Sequence, residues 1–519
     1  MKVMCEFDSQ IENISKIICE KAKSWISEGS VIDPIDRKAI PAHYSDTHFA
    51  VAFLLQSRDD TCYFDVAKRI MESFIAEWPK RKELPGYHAD FNNFALCLFF
   101  NELEDREIRD EFQEKIKNII LAAEDSHNYT INWLPMRIYV NYYRYLLTHD
   151  EKYLESCDKL EQIVLSAINA DGSIEDRMPK GVSFNIQYNV STVAELIFLK
   201  EAGYSFKKKF NLELLVSRVL AMVAPDGDIN YMGRGCNQIF AWGPWLYVLK
   251  YANNVSLEKH ACFFFSNIIR ALRNNNLLLN DFPGDQKLYW WDYHYCSVYY
   301  GHLLMWLKLV MRQVRPNSKI VAANDDFESF KRVKTTNYET MSFNGRKEYW
   351  CEMGPSLSYI WSNRYGMIFK GNYGPWRGHF GNYHTLPSYV LRNSVGLMSL
   401  RQKSSTITNR ILDRLGIVIN QVPMETIKPF PAKCEVLEDD YVLILRYHLA
   451  HKTNAYFNFP MFSSIAINDV QLTVFADGEE LKSVCVGSIV NQYGMCNLFE
   501  SEARSAKYWE VKLKINEWD

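Results

Sequence analysis

The sequence predicts an α+β multidomain protein, with a ring of helical hairpins over residues 1–320 and an antiparallel β-sandwich over residues 330–519. Twelve amphipathic stretches, with apolar residues at helical spacing, can be counted between residues 8 and 314. From about residue 335 they give way to short runs with strand-like alternation. A chain of 519 residues also exceeds what one hydrophobic core usually serves, so we expect two domains.

The helical stretches alternate in character along the chain. The first, at about 8–28, places Ile14, Ile18 and Trp25 on one stripe. Odd-numbered stretches carry more charge, whereas even-numbered ones are apolar nearly all round, so we expect odd helices outside and even helices inside. The remaining stretches are expected at 46–57, 62–78, 88–102, 105–124, 132–148, 151–169, 187–203, 210–223, 237–252, 256–275 and 295–314.

An internal repeat indicates that the hairpins stack in a regular way. Residues 167–174 and 222–229 share a helix end, an Asp-Gly turn and an isoleucine, and Asp171 and Asp226 lie 55 positions apart. Residues 280–284 follow at a similar step, and the earlier hairpins run at about 45 residues. Glycine after each aspartate suits a turn that needs positive φ. We therefore expect six helical hairpins closed into a complete or incomplete toroid.

The segments that enter the even helices hold most of the histidine, tyrosine and tryptophan. In antiparallel hairpins the starts of alternate helices lie on one face, so these segments should converge on one mouth. Amphipathic rings at such a mouth are typical of a sugar or ligand cleft, although core packing uses most of them. The segments are 41–48, 85–93, 128–133, 183–189, 231–238 and 289–295.

The second part of the chain predicts strands separated by turn pairs such as Asn344-Gly345 and Asp477-Gly478. Alternating runs of this kind are typical of an antiparallel sandwich. The expected strands are 357–361, 366–369, 416–420, 441–448, 455–459, 470–475 and 509–515.

Composition excludes several classes of protein. The formal net charge of −3 offers no polycation for nucleic acid, so local arginines must bind any acidic substrate. The twelve cysteines are dispersed, which indicates reduced thiols, and we expect neither a metal nor a cofactor. The first twenty residues show no secretory signal, and no window reaches the roughly 18 apolar residues of a membrane helix. These features favour the cytoplasm, unless a leader was removed.

Short motifs then point to a family. The twelve helices and β-sandwich, with Asn132-Trp133, Gln187-Tyr-Asn189 and the two Asp-Gly loops, resemble polysaccharide lyases with an (α/α)6 toroid and a β-sandwich. Within that group the order resembles the heparinase II/III-type enzymes, and the Asn-Trp pair is also similar to hyaluronate and chondroitin AC lyases. The resemblance covers most of the chain in architecture but only short motifs in sequence. It implies β-elimination of an acidic, uronic-acid-containing polysaccharide or oligosaccharide.

The resemblance also implies roles for individual residues. Asn132 matches the amide that neutralises the substrate carboxylate, and Tyr188 matches the tyrosine that removes one proton and returns another. Arg234 lies between two glycines, so its guanidinium can approach and grip a carboxylate. His384 resembles the histidine that the sandwich brings to the toroid mouth. We also expect substrate contacts from His88, Gln187, Tyr231, Gln238, Trp242, Asp292, His294, Arg377 and His379.

Other interpretations of the same residues stay open. Asn132 could cap the helix at 132–148, and Tyr188 could be an aromatic of the inner helix wall. Trp133 and Asn189 occupy places where the family often has a histidine, which puts the activity itself in question. A glycoside hydrolase on the same ring would use paired carboxylates, with candidates at Asp90, Asp176 and Asp292. A non-catalytic glycan-binding protein of polysaccharide assembly is the third alternative.

Overall fold

The computed structural model describes most of the first 323 residues and a set of strands beyond them. A helix-rich first part and antiparallel sheets in the second part are confirmed. The described residues are 2–106, 111–178, 181–183, 186–231, 239–262, 266, 295–323, 326–327, 330–335, 338–343, 356–362, 366–370, 374–376, 432–439, 442–462, 470–491 and 494–515.

Six inner helices form a closed ring. Each contacts the next along the chain, and the last contacts the first. Every residue of the first inner helix is buried, because that helix is packed on all sides. Short 3-10 turns, Ile131–Trp133 and Ile239–Ala241, lead into the third and fifth inner helices. The inner helices are α2 (Ser45–Gln56), α4 (Ala89–Asp105), α6 (Leu134–Thr148), α8 (Ile186–Glu201), α10 (Trp242–Ala252) and α11 (Cys296–Arg312).

The outer helices pack on the ring through one face only. In the second of them, Ala67, Ile70 and Phe74 are buried while the charged residues between them are not. This is the predicted alternation of charged outer and apolar inner helices. The outer helices are α1 (Lys2–Lys23), α3 (Cys62–Arg81), α5 (Glu111–Ala122), α7 (Lys152–Ser166) and α9 (Leu212–Ala221), and residues 255–262 are also helical.

Two short hairpins complete the helical part. The hairpins pair β1 (Ile26–Ser27) with β2 (Ser30–Val31), and β3 (Asp176–Met178) with β4 (Gly181–Ser183).

The sequence repeat is also a structural repeat. The backbone N–H of Asn169 donates to the carbonyl oxygen of Ser173, and the backbone N–H of Ala224 donates to the carbonyl oxygen of Asp228, both at 2.8 Å. Gly172 and Gly227 have φ of +85° and +89°, as predicted for these turns. The third copy, at 280–284, lies outside the described residues.

The β part contains a five-stranded and an eight-stranded antiparallel sheet. The five-stranded sheet is a meander of β5 (Asp326–Phe327), β6 (Phe330–Lys334), β7 (Tyr338–Phe343), β8 (Ser356–Ser362) and β9 (Gly366–Lys370). The eight-stranded sheet is built of β10 (Gly374–Trp376), β11 (Ala432–Asp439), β12 (Val442–Phe462), β13 (Val470–Ala476), β14 (Glu479–Leu481), β15 (Ser483–Asn491), β16 (Gly494–Ser501) and β17 (Arg504–Ile515).

Several predicted strands are confirmed, with one difference. The runs at 441–448 and 455–459 are parts of the single strand β12, whose register against β17 shifts between His448 and Thr453. Asp477 and Gly478 both have positive φ in the turn between β13 and β14. The predicted strand at 416–420 and the Asn344-Gly345 turn lie outside the described residues.

The five-stranded sheet has an apolar contact on each face. Tyr359 of β8 belongs to the core shared with the helices, and its neighbour Ile360 belongs to the core of the eight-stranded sheet. Adjacent strand residues point to opposite faces, so this sheet lies between the ring and the larger sheet. Arg332 strengthens the contact with the ring by donating to the carbonyl of Val223 at 3.1 Å. The domain limits at 320 and 330 stay predictions.

Candidate active site

The N-terminal ends of the inner helices, which we call the mouth, bring distant segments together. The ring centroids of His43 and His88 are 4.5 Å apart, and those of His88 and Trp133 are 5.4 Å apart. Tyr295 lies 5.4 Å from His43 on the other side. Segments 41–48, 85–93 and 128–133 therefore converge with Tyr295, as the hairpin argument predicts; residues 232–238 and 289–294 of the predicted segments lie outside the described residues.

Asn132 lies at this mouth in the 3-10 turn before α6. The turn contacts α8, and the Asn132 side chain is 2% exposed, with an Oδ1 that has no hydrogen-bond partner among the described residues. The capping alternative is not what the structure shows, since Trp133 is the N-cap of α6 and no side chain makes a capping bond there. A buried acceptor without a partner is costly, and a ligand hydroxyl that donates to this oxygen would remove that cost.

A buried ion pair fixes the loop that carries Asn132. Arg137 donates to both carboxylate oxygens of Asp90, at 2.8 and 2.9 Å, and both side chains are 2% exposed. The same guanidinium donates to the carbonyl of Asn128 at 2.5 Å. Asn128 in turn accepts from the N–H of Thr130 at 3.0 Å. Asp90 is therefore engaged in holding this loop, which disfavours it as the general acid of a hydrolase.

Two predicted site residues, Gln187 and Tyr188, lie in the first turn of α8 together with their neighbour Asn189. The Oε1 of Gln187 accepts from Asn230 at 3.2 Å, so this buried side chain ties α8 to the second Asp-Gly loop. Tyr188 follows, with 9% of its side chain exposed. Asn189 is buried, and its Oδ1 has no hydrogen-bond partner among the described residues. Gln187 therefore positions the turn, while Tyr188 keeps some accessible surface.

Two further predicted contacts lie deep in the core. The hydroxyl of Tyr231 donates to the carbonyl of Met222 at 2.9 Å, and its ring meets Tyr359 of the five-stranded sheet at 5.7 Å. Trp242 is fully buried at the start of α10, next to a close approach in which a Cβ on Gly243 would lie 2.4 Å from that of Trp306. These placements favour packing roles for Tyr231 and Trp242 over substrate contact.

Some of the remaining predicted residues lie in the described part of the chain, and others lie outside it. His88 is half-buried between His43 and Trp133, and burial lowers its pKa to about 4, so its imidazole is neutral at pH 7. Asp176 begins β3. The predicted residues outside the described part of the chain are Arg234, Gln238, Asp292, His294, Arg377, His379 and His384.

The mouth is electrostatically suited to an anion. The positive ends of the inner-helix dipoles point to it, because these are the helix N-termini. The first turns of α6, α8, α10 and α11 contain no acidic residue. The acids in the first turns of α2 and α4, Asp46 and Asp90, are bound by Arg81 and Arg137. The carboxylate of Asp33 binds the end of α11, accepting from the backbone N–H of Ser297 at 2.8 Å, so the ends without a nearby first-turn acid are those of α6, α8 and α10.

Sequence reasoning missed three buried titratable residues behind the mouth. His48 and His302 are buried with their rings 5.3 Å apart, and His302 stacks on Phe240 at 4.1 Å. Burial lowers the pKa of His48 to about 3 and that of His302 well below its usual value. Glu195 is buried on α8, and burial, followed by repulsion from Asp90, raises its pKa. The only signal was a polar residue on an otherwise apolar helix, which does not specify a role.

Acid is expected to destabilise the protein through these histidines. Their folded pKa is lowered, so the stability they contribute is present above the unfolded value of about 6.5 and is lost as pH falls toward the folded values, at up to ~1.4 kcal/mol per pH unit for each histidine. Glu195, with a raised pKa, opposes this trend. Urea unfolding between pH 7 and pH 5 should show a shallower pH slope for His302→Phe than for the unmodified chain. The exposed control His451→Phe should keep the full slope, and equal slopes in all three proteins would contradict the assignment.

The comparisons with known proteins come from solved structures alone. No protein-family model and no curated protein matches the sequence. The chain is similar to a chondroitin AC lyase from Streptomyces coelicolor in complex with chondroitin sulphate, at 9% identity and TM-score 0.47 over 98% of this chain and 80% of that one.

Two other solved structures are similar to the first part of the chain. An α-1,6-mannanase from a Salegentibacter species has 13% identity and TM-score 0.39 over 59% of this chain and 99% of that one. A mutant unsaturated glucuronyl hydrolase from Streptococcus agalactiae has 12% identity and TM-score 0.40 over 60% of this chain and 92% of that one. All three TM-scores are below 0.5.

The described part of the chain contains neither a metal-binding cluster nor a membrane-spanning helix. Among the residues that the structure describes, no three His, Cys, Asp or Glu side chains are grouped so that they could hold a metal ion. In the same part of the chain, no helix combines the length and apolar character needed to cross a bilayer.

Proposed function

We propose that the chain is a carbohydrate-active enzyme with an α/α toroid and a β-sandwich, and that it cleaves a uronic-acid glycan by β-elimination. The observation that supports this most is the placement of Asn132 and Tyr188 on neighbouring elements, the 3-10 turn and α8, at one mouth. The positive ends of the inner helices converge at the same mouth and favour a substrate carboxylate.

The proposed chemistry assigns one task to each of the two side chains. The amide of Asn132 donates to the uronate carboxylate, which lowers the cost of placing more negative charge on it. Tyr188, as phenolate, removes the proton from C5, and the electron pair forms the C4–C5 double bond while the C4–O4 bond breaks. The phenol then returns a proton to O4 of the leaving sugar. No water is consumed, and the new non-reducing end is an unsaturated uronate.

Residues outside the described part of the chain complete the proposal. Arg234 would provide the positive charge that lowers the pKa of a tyrosine and binds the carboxylate, and His384 would reach the mouth from the β part. Substrate contacts from Gln238, Asp292, His294, Arg377 and His379 belong to the same proposal. The narrower heparinase II/III-type assignment and a cytoplasmic location stay predictions.

A glycoside hydrolase is less well supported. Hydrolysis needs two carboxyl groups across the scissile bond, one of which is protonated. Asp90 is instead held in a buried bidentate pair with Arg137. Asp292 would have to act with some other acid.

The test is to incubate the full chain with a panel of glycans and follow the ultraviolet absorbance of the conjugated unsaturated uronate. We expect the absorbance to rise with chondroitin, hyaluronan, heparan sulfate, alginate or polygalacturonate, since only elimination creates this chromophore. Mannan and dextran, which have no uronate, are the controls. Reducing ends that appear without the chromophore would instead show hydrolysis, and binding without cleavage would show a non-catalytic protein.

A further inference from the structure

A second cavity lies at the end of the ring opposite to the mouth. Its walls come from the later turns of the inner helices, and its volume of about 580 Å³ falls within the usual range of small-molecule sites. We call it the rear cavity. It is lined by residues 55, 98, 101, 105, 139, 142, 143, 146, 198, 201, 202, 247, 309 and 312–314.

The walls of the rear cavity are aromatic. Tyr139 lies 5.0 Å from Phe198 and 5.9 Å from Tyr143, measured between ring centroids, and Phe198 lies 6.4 Å from Tyr247. Two apolar side chains at its rim face solvent. Rings arranged in this way offer an apolar body a large contact surface and present their negative faces to a cation.

The two rim residues are among the few large apolar side chains that are exposed in the described part of the chain. Leu146 is 45% exposed and Val314 is 83% exposed. Their position beside an aromatic cavity indicates that a bound molecule would cover apolar surface there.

The polar groups of the cavity accept hydrogen bonds more than they donate them. The carboxylate of Glu201 accepts from the hydroxyl of Tyr247, and both of its oxygens accept from the Nε2 of Gln313, at 3.2 and 3.3 Å. The Oε1 of Gln313, a buried residue, has no partner among the described residues. Tyr143 donates its hydroxyl to Glu104 at 3.0 Å. The carboxylate of Glu201 and the unpaired Oε1 of Gln313 therefore favour an occupant that donates hydrogen bonds.

Among the charged groups at the cavity, the carboxylate of Glu201 favours a cation. Arg312 is the basic residue of the lining, and Glu102 binds it at 2.6 Å. No Lys or Arg of the described residues forms an ion pair with Glu201, whose side chain is exposed at the cavity. The inner helices end at the rear cavity; the last turns of α2, α4 and α6 contain no basic residue, whereas those of α8, α10 and α11 contain Lys200, Lys250 and Arg312. The negative dipole ends of α2, α4 and α6 add to the carboxylate of Glu201, while Asp105 lies 3.8 Å from both Arg58 and Arg312.

We propose that the rear cavity binds a small organic cation, a protonated amine on an apolar or ring-shaped body, with the ammonium at Glu201 and Gln313 and the body among the tyrosines. This site is separate from the mouth and does not depend on the proposed elimination. A neutral ring of the same size would gain the aromatic contacts but would leave Glu201 without a counter-ion. An anion would meet carboxylates and negative helix ends.

Calorimetric titration of the full chain at pH 7 tests the proposal with benzylamine and with benzyl alcohol, which has nearly the same shape without the charge. We expect benzylamine to bind at least tenfold more tightly. Glu201→Gln should weaken benzylamine at least tenfold, while Glu155→Gln, an exposed change on α7, should leave its affinity unchanged. Leu146→Trp, made at an exposed rim position, should also weaken binding by narrowing the cavity.

Four results would overturn the proposal. These are equal affinities for the amine and the alcohol, no binding of benzylamine, cyclohexylamine or glucosamine, an affinity unchanged in both Glu201→Gln and Leu146→Trp, or loss of binding in Tyr188→Phe. The last result would place the amine at the mouth. None of these measurements requires glycan cleavage, so failure here is distinct from failure of the lyase proposal.

Discussion

Tyr188→Phe is expected to lower the kcat for cleavage of a uronate glycan by ~10³-fold, because the positioned phenol that transfers the proton is removed. The ring of Tyr188 stays, so packing at the start of α8 and the midpoint of thermal unfolding should change little. KM should also change little, since the phenol acts on the reacting proton rather than on the bound sugar as a whole. The measurement is initial rate against substrate concentration, followed by the ultraviolet absorbance of the product.

Asn132→Ala provides the second half of the same test. Loss of one preorganised donor to the developing charge should cost ~10²–10³-fold in kcat. Asn132→Asp should be at least as damaging, because it places a like charge beside the substrate carboxylate. Tyr145→Phe, on α6 away from the mouth, is the matched control and should keep full activity. Retention of more than a tenth of the activity by Tyr188→Phe would exclude Tyr188 as the proton-transfer residue.

Arg137→Ala is expected to cause the largest loss of stability, ~3–5 kcal/mol, because it leaves the carboxylate of Asp90 buried without its partner. It also removes the donor to the carbonyl of Asn128, so the loop before Asn132 should loosen. Urea unfolding would measure the loss, and glycan cleavage, where it occurs, should fall with it.

A double substitution distinguishes a structural role of the Asp90–Arg137 ion pair from a catalytic role of Asp90. Asp90→Leu with Arg137→Met replaces the pair by apolar side chains and should recover much of the stability that Arg137→Ala loses. Lys115→Ala, which breaks an exposed ion pair with Glu111, is the control and should leave the unfolding midpoint unchanged. If Asp90→Asn abolished activity on a glycan without any loss of stability, Asp90 would be catalytic and the hydrolase alternative would gain support.

The mouth and the rear cavity are opposite ends of the same helices, and this explains their opposite preferences. Six parallel inner helices add their dipoles, so one end of the ring is positive and the other is negative. In the first turns at the mouth the acids, Asp46 and Asp90, are bound by arginines; at the rear, the last turns of α2, α4 and α6 contain no base and those of α8, α10 and α11 contain one each. A single architecture therefore favours a carboxylate at one end and an ammonium at the other.

The sequence by itself determined the features that depend on local spacing. Helical periodicity distinguishes α3, with one buried face, from α2, which is buried throughout. The Asp-Gly pairs at 171 and 226 predict turns with positive φ, because glycine adopts that conformation without strain. Alternate starts on one face predict that His43, His88 and Trp133 meet. The first two follow from neighbours a few residues apart, and the third follows from the regular length of the helical hairpins.

Only the tertiary structure decided which side chains are partners across the ring. Asp90 is bound by Arg137, 47 residues away, and Gln187 is tied to Asn230, 43 residues away. Tyr231 is covered by Tyr359 of the sheet, and the burial of His48 and His302 follows from the closure of α11 on α2. Periodicity fixes which face of a helix is buried, but it does not encode which distant polar group arrives there. That depends on how the ring closes and where the sheet packs.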